Sequence, residues 1–379
     1  MKKRVFKLRV VLLHLRHFRS HRELLLPLSE GVNILYGRNG VGKTNILEAV
    51  HFVCLTKSLF GASDAECLQF DAPFFEIEAE MQSDLGTQSQ VRVYFSSEEG
   101  KHVFINRTEL AQFSKIVGEY PCIALSPFDL GLVQGAPQER RRFLDNTISQ
   151  ANRAYLEDLM NYRRALNQRN KLLSEIKQQG MLTPAQRSAL EVWTEQFTQL
   201  ATAIIFQRVR FAEEFAGYLK AAYRKFASFS EEPALRYESE GVCFGTKTVE
   251  GIRQDFRTKL MMLKTEELHR GQTLLGPHRD DLEFLINHRS LRRYASQGQH
   301  KTFLICLKLA QYAYIHERLK ETPIFLLDDV FSELDRERAN DLIEILKPLG
   351  QSLITTTERK SFSGVSQIDV AYIRRESVI

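Results

Sequence analysis

The chain has 379 residues, too many for one small domain, and its 43% hydrophobic against 26% charged content fits a soluble globular protein with a sizeable core. Its net charge of +5, from 52 Lys and Arg against 47 Asp and Glu, favours a polyanionic partner only weakly. Five scattered cysteines, an odd number with no C-x-x-C pair, argue against a disulfide framework or a zinc site and for a reducing compartment.

The start, MKKRVFKLRVVLLHLRH, is basic and then apolar, but Lys7, Arg9, His14 and Arg16 interrupt the apolar run. No segment approaches the roughly 20 apolar residues a membrane span needs. The expectation is a cytoplasmic protein with no membrane contact. Alternation of Phe6, Leu8, Val10 and Leu12 predicts a strand over 5–15, and Leu24, Leu26 and Leu28 predict another. The run GVNILYG predicts a short buried strand, and Ile46, Leu47, Val50 and Val53 mark one face of a helix from Thr44. Phe75, Ile77, Ala79 and Met81 alternate with Glu76, Glu78 and Glu80, followed by Val91, Val93 and Phe95 and then by 103–105. That is an antiparallel meander with one wet face. YPCIALSP predicts a buried strand ending at Pro127.

Beyond Pro137 the pattern turns helical. Tyr155, Leu159, Tyr162, Leu166, Arg169, Leu173 and Ile176 recur at heptad spacing. Gly180 and Pro184 mark a turn, and Leu190, Trp193, Phe197, Leu200, Ile204, Phe211 and Phe215 continue on a second helix. Two long helices joined by a short turn make an antiparallel hairpin, either a projecting arm or a pair lying on a core. From about Glu240 strand-and-turn character returns, with a strand at Leu282, Phe284 and Ile286 and a helix over 299–319. PIFLLDDV is continuously apolar up to its acids, as expected of a central strand, ERANDLIEILKPLG is helical, and SLITTT is another buried strand. The order is α/β, an all-helical insertion, then α/β.

From Gly37 to Thr44 the chain reads G-x-x-x-x-G-K-T, after a predicted strand and opening a predicted helix. Gly40 and Gly42 let backbone N–H groups approach a phosphate, and the helix dipole adds to them. Lys43 brings a positive charge to the outer phosphates, and the Thr44 hydroxyl is placed for Mg²⁺. Gly37, Arg38, Asn39, Val41 and Asn45 complete the candidate nucleotide-binding segment. Asp328 closes an apolar run and is the candidate second magnesium ligand, directly or through water. Asp329 is the candidate to polarise a water facing the terminal phosphate. Ser296, Gly298 and Gln299 stand just before a helix: alone, the serine is a cap, but beside a phosphate loop the same edge is a second phosphate site. A two-fold dimer would bring the loop of one subunit to that edge of the other, twice, with ATP between them and hydrolysis as the release.

GRNGVGKTNILEAV, LVQGAPQERRRFLD, LLGPHRDDLEF, YASQGQHKT and FLLDDVFSELDRER, in that order and over nearly the whole chain, resemble the RecF family of bacterial recombination-mediator ATPases, ABC-type heads near the SMC proteins. The resemblance implies an α/β fold: an ABC-type P-loop ATPase head, with a mixed sheet flanked by helices, an antiparallel meander and an inserted antiparallel helical arm. It implies 1–133 and 241–379 as the two halves of the head and 134–240 as the arm. It implies ATP and Mg²⁺ as cofactors, with Thr44 and Asp328 at the metal. Asp329 would be the catalytic acid, where most ABC proteins carry a glutamate. Ser296, Gln297, Gly298 and Gln299 would be the signature edge acting across a dimer, and Ser332, Glu333, Leu334 and Asp335 the loop passing between subunits. It further implies a weak DNA-stimulated ATPase, double-stranded and gapped DNA as ligands, an ATP-dependent homodimer, and RecR as partner with RecO and RecA downstream.

The chain departs from the family text at Phe128, where an acid is usual, and at Leu59 and Phe60, where an arginine follows Ser58. Thr356 or Thr357 stands where ABC transporters carry a histidine switch. Basic residues cluster at Lys2, Lys3, Arg4, Lys7 and Arg9, at Arg140, Arg141 and Arg142, along the arm at Arg163, Arg164 and Arg169, and at Arg292 and Arg293. Such clusters suit phosphate contacts without sequence preference, and otherwise are solvated faces. The candidates for DNA contact are Arg140, Arg141, Arg142, Arg292 and Arg293. A small-molecule kinase would have no use for the second edge, a transporter subunit would want the histidine switch, and a GTPase would want a guanine-reading acid that Asn170 and Lys171 lack. Residues 44–327 are too few for the arm of a full SMC protein.

Overall fold

The computed structural model describes residues 7–226, 231–243, 248–359 and 362–376. Of the basic start, Lys2, Lys3 and Arg4 lie outside the described residues, as do Val5 and Phe6 of the first predicted strand. In chain order the first strands are β1 (Arg9–Phe18), β2 (His21–Pro27), β3 (Val32–Tyr36), β4 (Phe74–Gln82), β5 (Gln88–Ser96), β6 (Gly100–Ile105), β7 (Thr108–Glu109) and β8 (Cys122–Leu125). Then come β9 (Pro233–Glu238), β10 (Asp281–Ile286), β11 (Arg289–Ser290), β12 (Ile324–Leu327), β13 (Ser352–Thr356) and β14 (Ser366–Asp369). The helices are α1 (Lys43–Leu55), α2 (Asp64–Cys67), α3 (Leu130–Gln134), α4 (Pro137–Ala151), α5 (Arg153–Gln179) and α6 (Pro184–Phe226). They continue with α7 (Val249–Arg270), α8 (Leu291–Tyr294), α9 (Gln297–Leu319), α10 (Arg336–Leu346) and α11 (Val370–Glu376).

Two units divide the chain: Met1–Asp129 with Arg224–Ser228 and Lys301–Ile379, and Leu130–Tyr223 with Phe229–His300. The helical segment expected over 134–240 falls largely in the second unit, which also takes in β10, α7 and the Ser296–Gln299 stretch. In the first unit the alternating strands form an antiparallel sheet in the order β2-β1-β4-β5-β6-β7. Ile77 pairs with Val93 and Ala79 with Val91, so the apolar residues of both strands share the buried face. On the other face Glu76 is still only 4% exposed, because Arg16, at 2.9 Å, and Arg92 cover its carboxylate. The continuously apolar runs instead form a parallel sheet, β14-β3-β13-β12-β8, in which β12 is buried throughout. α1 packs against strands of both sheets. Its Phe52 meets Phe18 and Phe75 edge-to-face at 5.7 and 5.9 Å, and burying such a ring stabilises by about 1.5–3 kcal/mol. Because β3, β13 and β12 are parallel, the loops after all three leave from one edge of the sheet.

In the second unit α5 and α6 form the antiparallel pair: Tyr162 stacks on Phe197, and Arg169 donates to Thr194. α5 is capped at its start by Asn152, whose side chain accepts from Tyr155 N–H, and at its end by Gly180 with φ 69°. α7 is a correction, since strand-and-turn structure was expected there. Its buried residues, Ile252, Phe256, Leu260 and Glu267, share one face, but an acid ends that stripe and the outward-facing Met261 and Met262 blur it in the sequence. Glu267 ties α7 to α5: it accepts from Arg169 at 2.6 Å, and Arg169 also donates to Thr273 at 2.7 Å. A three-stranded sheet, β11-β10-β9, closes against α4, where Phe143 packs edge-to-face on Phe284 at 6.4 Å. Among the described residues no helix is long and apolar enough to cross a membrane.

Candidate functional site

The candidate site lies in the first unit, at the edge of the parallel sheet where β3, β13 and β12 end. After β3 the backbone turns through Gly40 at φ 81° and Gly42 at φ 96°, left-handed conformations that favour glycine. Gly42 has a second constraint: a Cβ there would lie 2.4 Å from Nε2 of His21. His21 Nε2–H donates to the Gly42 carbonyl at 3.0 Å, directly before the first residue of α1. No side chain among the described residues caps α1, and its first turn holds no acid, so its N–H groups and dipole face outward for an anion. Lys43 Nζ donates to the carbonyls of Gly37 at 2.7 Å and Arg38 at 3.0 Å. Burial lowers the Lys43 pKa from its ordinary value, and Asp329 and Asp328 oppose that shift.

The acids after β12 meet the start of α1. Thr44 Oγ1 donates to Asp328 Oδ1 at 2.8 Å. Thr355 Oγ1, on β13, donates to the same oxygen at 2.7 Å and accepts from the backbone N–H of Asp329 at 2.9 Å. Asp329 itself sits in the left-handed region at φ 49°, which turns the chain sharply after the strand. Thr355 is 1% exposed, and in the sequence it stands out only as part of a buried strand. The signal that finds it is its parallel register beside β12, which no local pattern prints. Thr355→Val keeps the shape but strands the Asp329 N–H. It should lower stability by about 1–2 kcal/mol, read by urea unfolding, while Thr355→Ser stays near the parent.

These groups line a cleft of about 340 Å³ with Ser20, Asn39, Gly40, Asn45, Pro127 and Thr357. Of the two threonines offered for the switch position, Thr357 lines the cleft and Thr356 is buried. Thr44 Oγ1 and Asp328 Oδ1 stand at a separation close to that of adjacent oxygens around Mg²⁺, about 2.9 Å for ligands at ~2.05 Å. Among the described residues no three His, Cys, Asp or Glu gather to hold a metal alone. An ion held by this pair would have to take its remaining ligands from phosphate and water, as magnesium does. A lysine, a row of N–H groups and one magnesium-ready pair are the chemistry of a bound polyphosphate.

Arg38 is exposed on the loop and Val41 packs against the core. Ser332 donates to the Asp329 carbonyl at 2.8 Å, Leu334 is half-buried, and Asp335 caps α10 by accepting from Arg338 N–H. The side chain of Glu333 lies outside those described. In the second unit Ser296 and Gln299 form a reciprocal cap at the start of α9: Ser296 N–H donates to Gln299 Oε1 at 2.8 Å, and Gln299 N–H to Ser296 Oγ at 3.2 Å. Ser296, Gln297 and Gly298 are exposed.

The arginines divide. Arg140 is buried, donates bidentately to Asp281 at 2.7 and 2.8 Å, and fixes α4 to β10, so its guanidinium is not available to DNA. Arg169 is likewise consumed by Glu267. Arg141 is half-buried on the Asp280 carbonyl, while Arg142, Arg292 and Arg293 are exposed. The two departures from the family text turn out to be neighbours: Phe60 and Phe128 pack edge-to-face at 5.5 Å, with Phe128 77% exposed.

The family model for the RecF/RecN/SMC N terminal domain matches residues 9–379. The chain is 56% identical over 358 residues to the DNA replication and repair protein RecF of Chloroherpeton thalassium, covering 94% of this chain and 96% of that one. It is similar, at a TM-score of 0.90 and 28% identity, to the structure of the recombination mediator protein RecF-ATP in the RecFOR pathway, covering 98% of each chain. Likeness to the Smc head domain of Pyrococcus furiosus, at a TM-score of 0.50 and 16% identity over 93% of this chain and 90% of that one, concerns the fold alone.

Proposed function

We propose that this chain, which belongs to the RecF family of DNA replication and repair proteins, is an ATP-switched DNA-binding protein of recombinational repair. Its cleft takes ATP with Mg²⁺. The N–H groups around Gly40 to Asn45 and the Lys43 ammonium face the phosphates, Thr44 and Asp328 hold the metal, and Asp329 polarises the attacking water. Ser296, Gln297, Gly298 and Gln299 of a second copy close the cleft, and residues 332–335 run between the copies. ATP-bound chains dimerise on double-stranded DNA or at its junctions with single strands, and slow hydrolysis times their release. Arg142, Arg292 and Arg293 supply phosphate contacts, with Arg141 in part. On gapped DNA and at stalled forks the protein acts with RecR and RecO to load RecA, feeding the SOS response.

The observation that supports this most is the hydrogen bond between Thr44 and Asp328, 284 residues apart, which joins a phosphate loop to a magnesium acid. Sedimentation velocity with ATP, ADP and no nucleotide, with and without a gapped duplex, tests it. A dimer is expected with ATP alone, and more of it on DNA. Ser296→Arg should keep the ATP binding of the monomer and stay monomeric, because the longer cation cannot sit against the facing loop. A Ser296→Arg protein that still dimerises with ATP rules out the cross-subunit edge.

A further inference from the structure

His300 directly follows Gln299 and is 5% exposed. Both ring nitrogens are engaged. Nε2–H donates to the Leu291 carbonyl at 2.9 Å, and the Gln134 amide N–H donates to Nδ1 at 2.9 Å. The carbonyl can only accept, so the proton sits on Nε2 and Nδ1 is left as the acceptor for Gln134. Leu291 is the buried first residue of α8, whose other residues, Arg292, Arg293 and Tyr294, are all exposed. The exposed Ser296, Gln297 and Gly298 come next. This outward run of backbone is therefore held from behind at both ends. His300 pins Leu291, Ser296 is pinned by Gln299, and Gln299 donates in turn to Glu231 at 2.7 Å.

We infer that His300 is a positioning residue for the Ser296–Gly298 edge, tying α8 to the first turn of α9 through the Leu291 carbonyl. An edge already ordered loses less conformational freedom when it meets its ligand. The lock follows from hydrogen bonds within the second unit. Its consequence for self-association rests on the proposal that this edge closes the ATP cleft of another copy.

The full-length chain with Mg²⁺ and ATP provides the test. His300→Leu removes both hydrogen bonds at similar bulk. Gln134→Leu, at an exposed position, removes one and serves if the first variant fails to fold. His300→Gln can restore both, since its amide donates to Leu291 and accepts from Gln134. Backbone hydrogen exchange over 294–299 should be about tenfold faster in His300→Leu, less so in Gln134→Leu, and near the parent in His300→Gln. ATP affinity of the dilute, monomeric chain should stay unchanged while ATP-driven self-association weakens by about tenfold in His300→Leu. Exchange unchanged in both leucine variants, or no rescue by glutamine, overturns the lock. A parent chain that stays monomeric in ATP instead overturns the proposed function, and the exchange result still decides the role of His300.

Discussion

Replacing Arg208 by methionine should destabilise the second unit by about 3–5 kcal/mol, a large part of what holds a domain together. Arg208 is 2% exposed on α6 and makes three different contacts. It donates to Asp145 Oδ1 at 2.7 Å, to the Pro277 carbonyl at 2.7 Å and to the Tyr155 hydroxyl at 3.0 Å. Tyr155 donates to the same Asp145 oxygen at 2.7 Å. α4, α5, α6 and the turn before β10 therefore share one guanidinium. Methionine fills much of the volume but leaves a half-buried carboxylate with one partner fewer and a carbonyl with none supplied by Arg208. Lysine would not rescue, because a point charge cannot serve three acceptors set in a fork. The chain has one tryptophan, Trp193, and it lies in this unit, so its fluorescence in urea follows the unit directly. A loss below about 1 kcal/mol would mean that the network is replaceable by packing, as some buried ion networks are.

The same network shows where local pattern stops being informative. ERRRFLD and LLGPHRDDLEF are far apart in the chain and give no hint that they meet. Arg140, Arg141 and Asp145 of the first contact Asp281, Asp280 and, through Arg208, Pro277 of the second. A run of arginines on a helix looks like a solvated or DNA-facing patch because the partner of Arg140 arrives from the other side of a tertiary fold. Arg169 misleads in the same way, occupying a heptad position and ending on Glu267, a buried acid on a distant helix that no local pattern pairs with it. The cleft was legible for the opposite reason. Loop, lysine and threonine are contiguous, and their geometry follows from glycine torsions and a helix start. Asp328 is found because a buried parallel strand must be apolar to its end and the first acid after it stands at the sheet edge. Thr355 shares that edge, but only pairing between β12 and β13 brings it there.

Lys43→Met should weaken ATP binding at least a hundredfold, about 3 kcal/mol, with little effect on folding. The methionine retains most of the apolar stem, so the loss reports the ammonium. That ammonium donates to the Gly37 and Arg38 carbonyls, and these belong to half-buried and exposed residues that water can serve in its place. Urea unfolding of the variant should therefore fall within about 1 kcal/mol of the parent. With phosphates present nothing replaces the charge, since Asp328 and Asp329 on the facing loop repel the same anion unless magnesium stands between. The loss of affinity should for that reason be larger at low magnesium than at high. Titration calorimetry with ATP at several magnesium concentrations measures both effects, and a gel shift on gapped duplex measures the third, loss of the ATP-dependent part of DNA binding. Unchanged ATP affinity would remove the loop from the nucleotide site. Lost ATP affinity with DNA binding equally strong with and without ATP in the parent would leave the cleft intact but uncouple it from DNA, and the switch would have to be sought in another ligand.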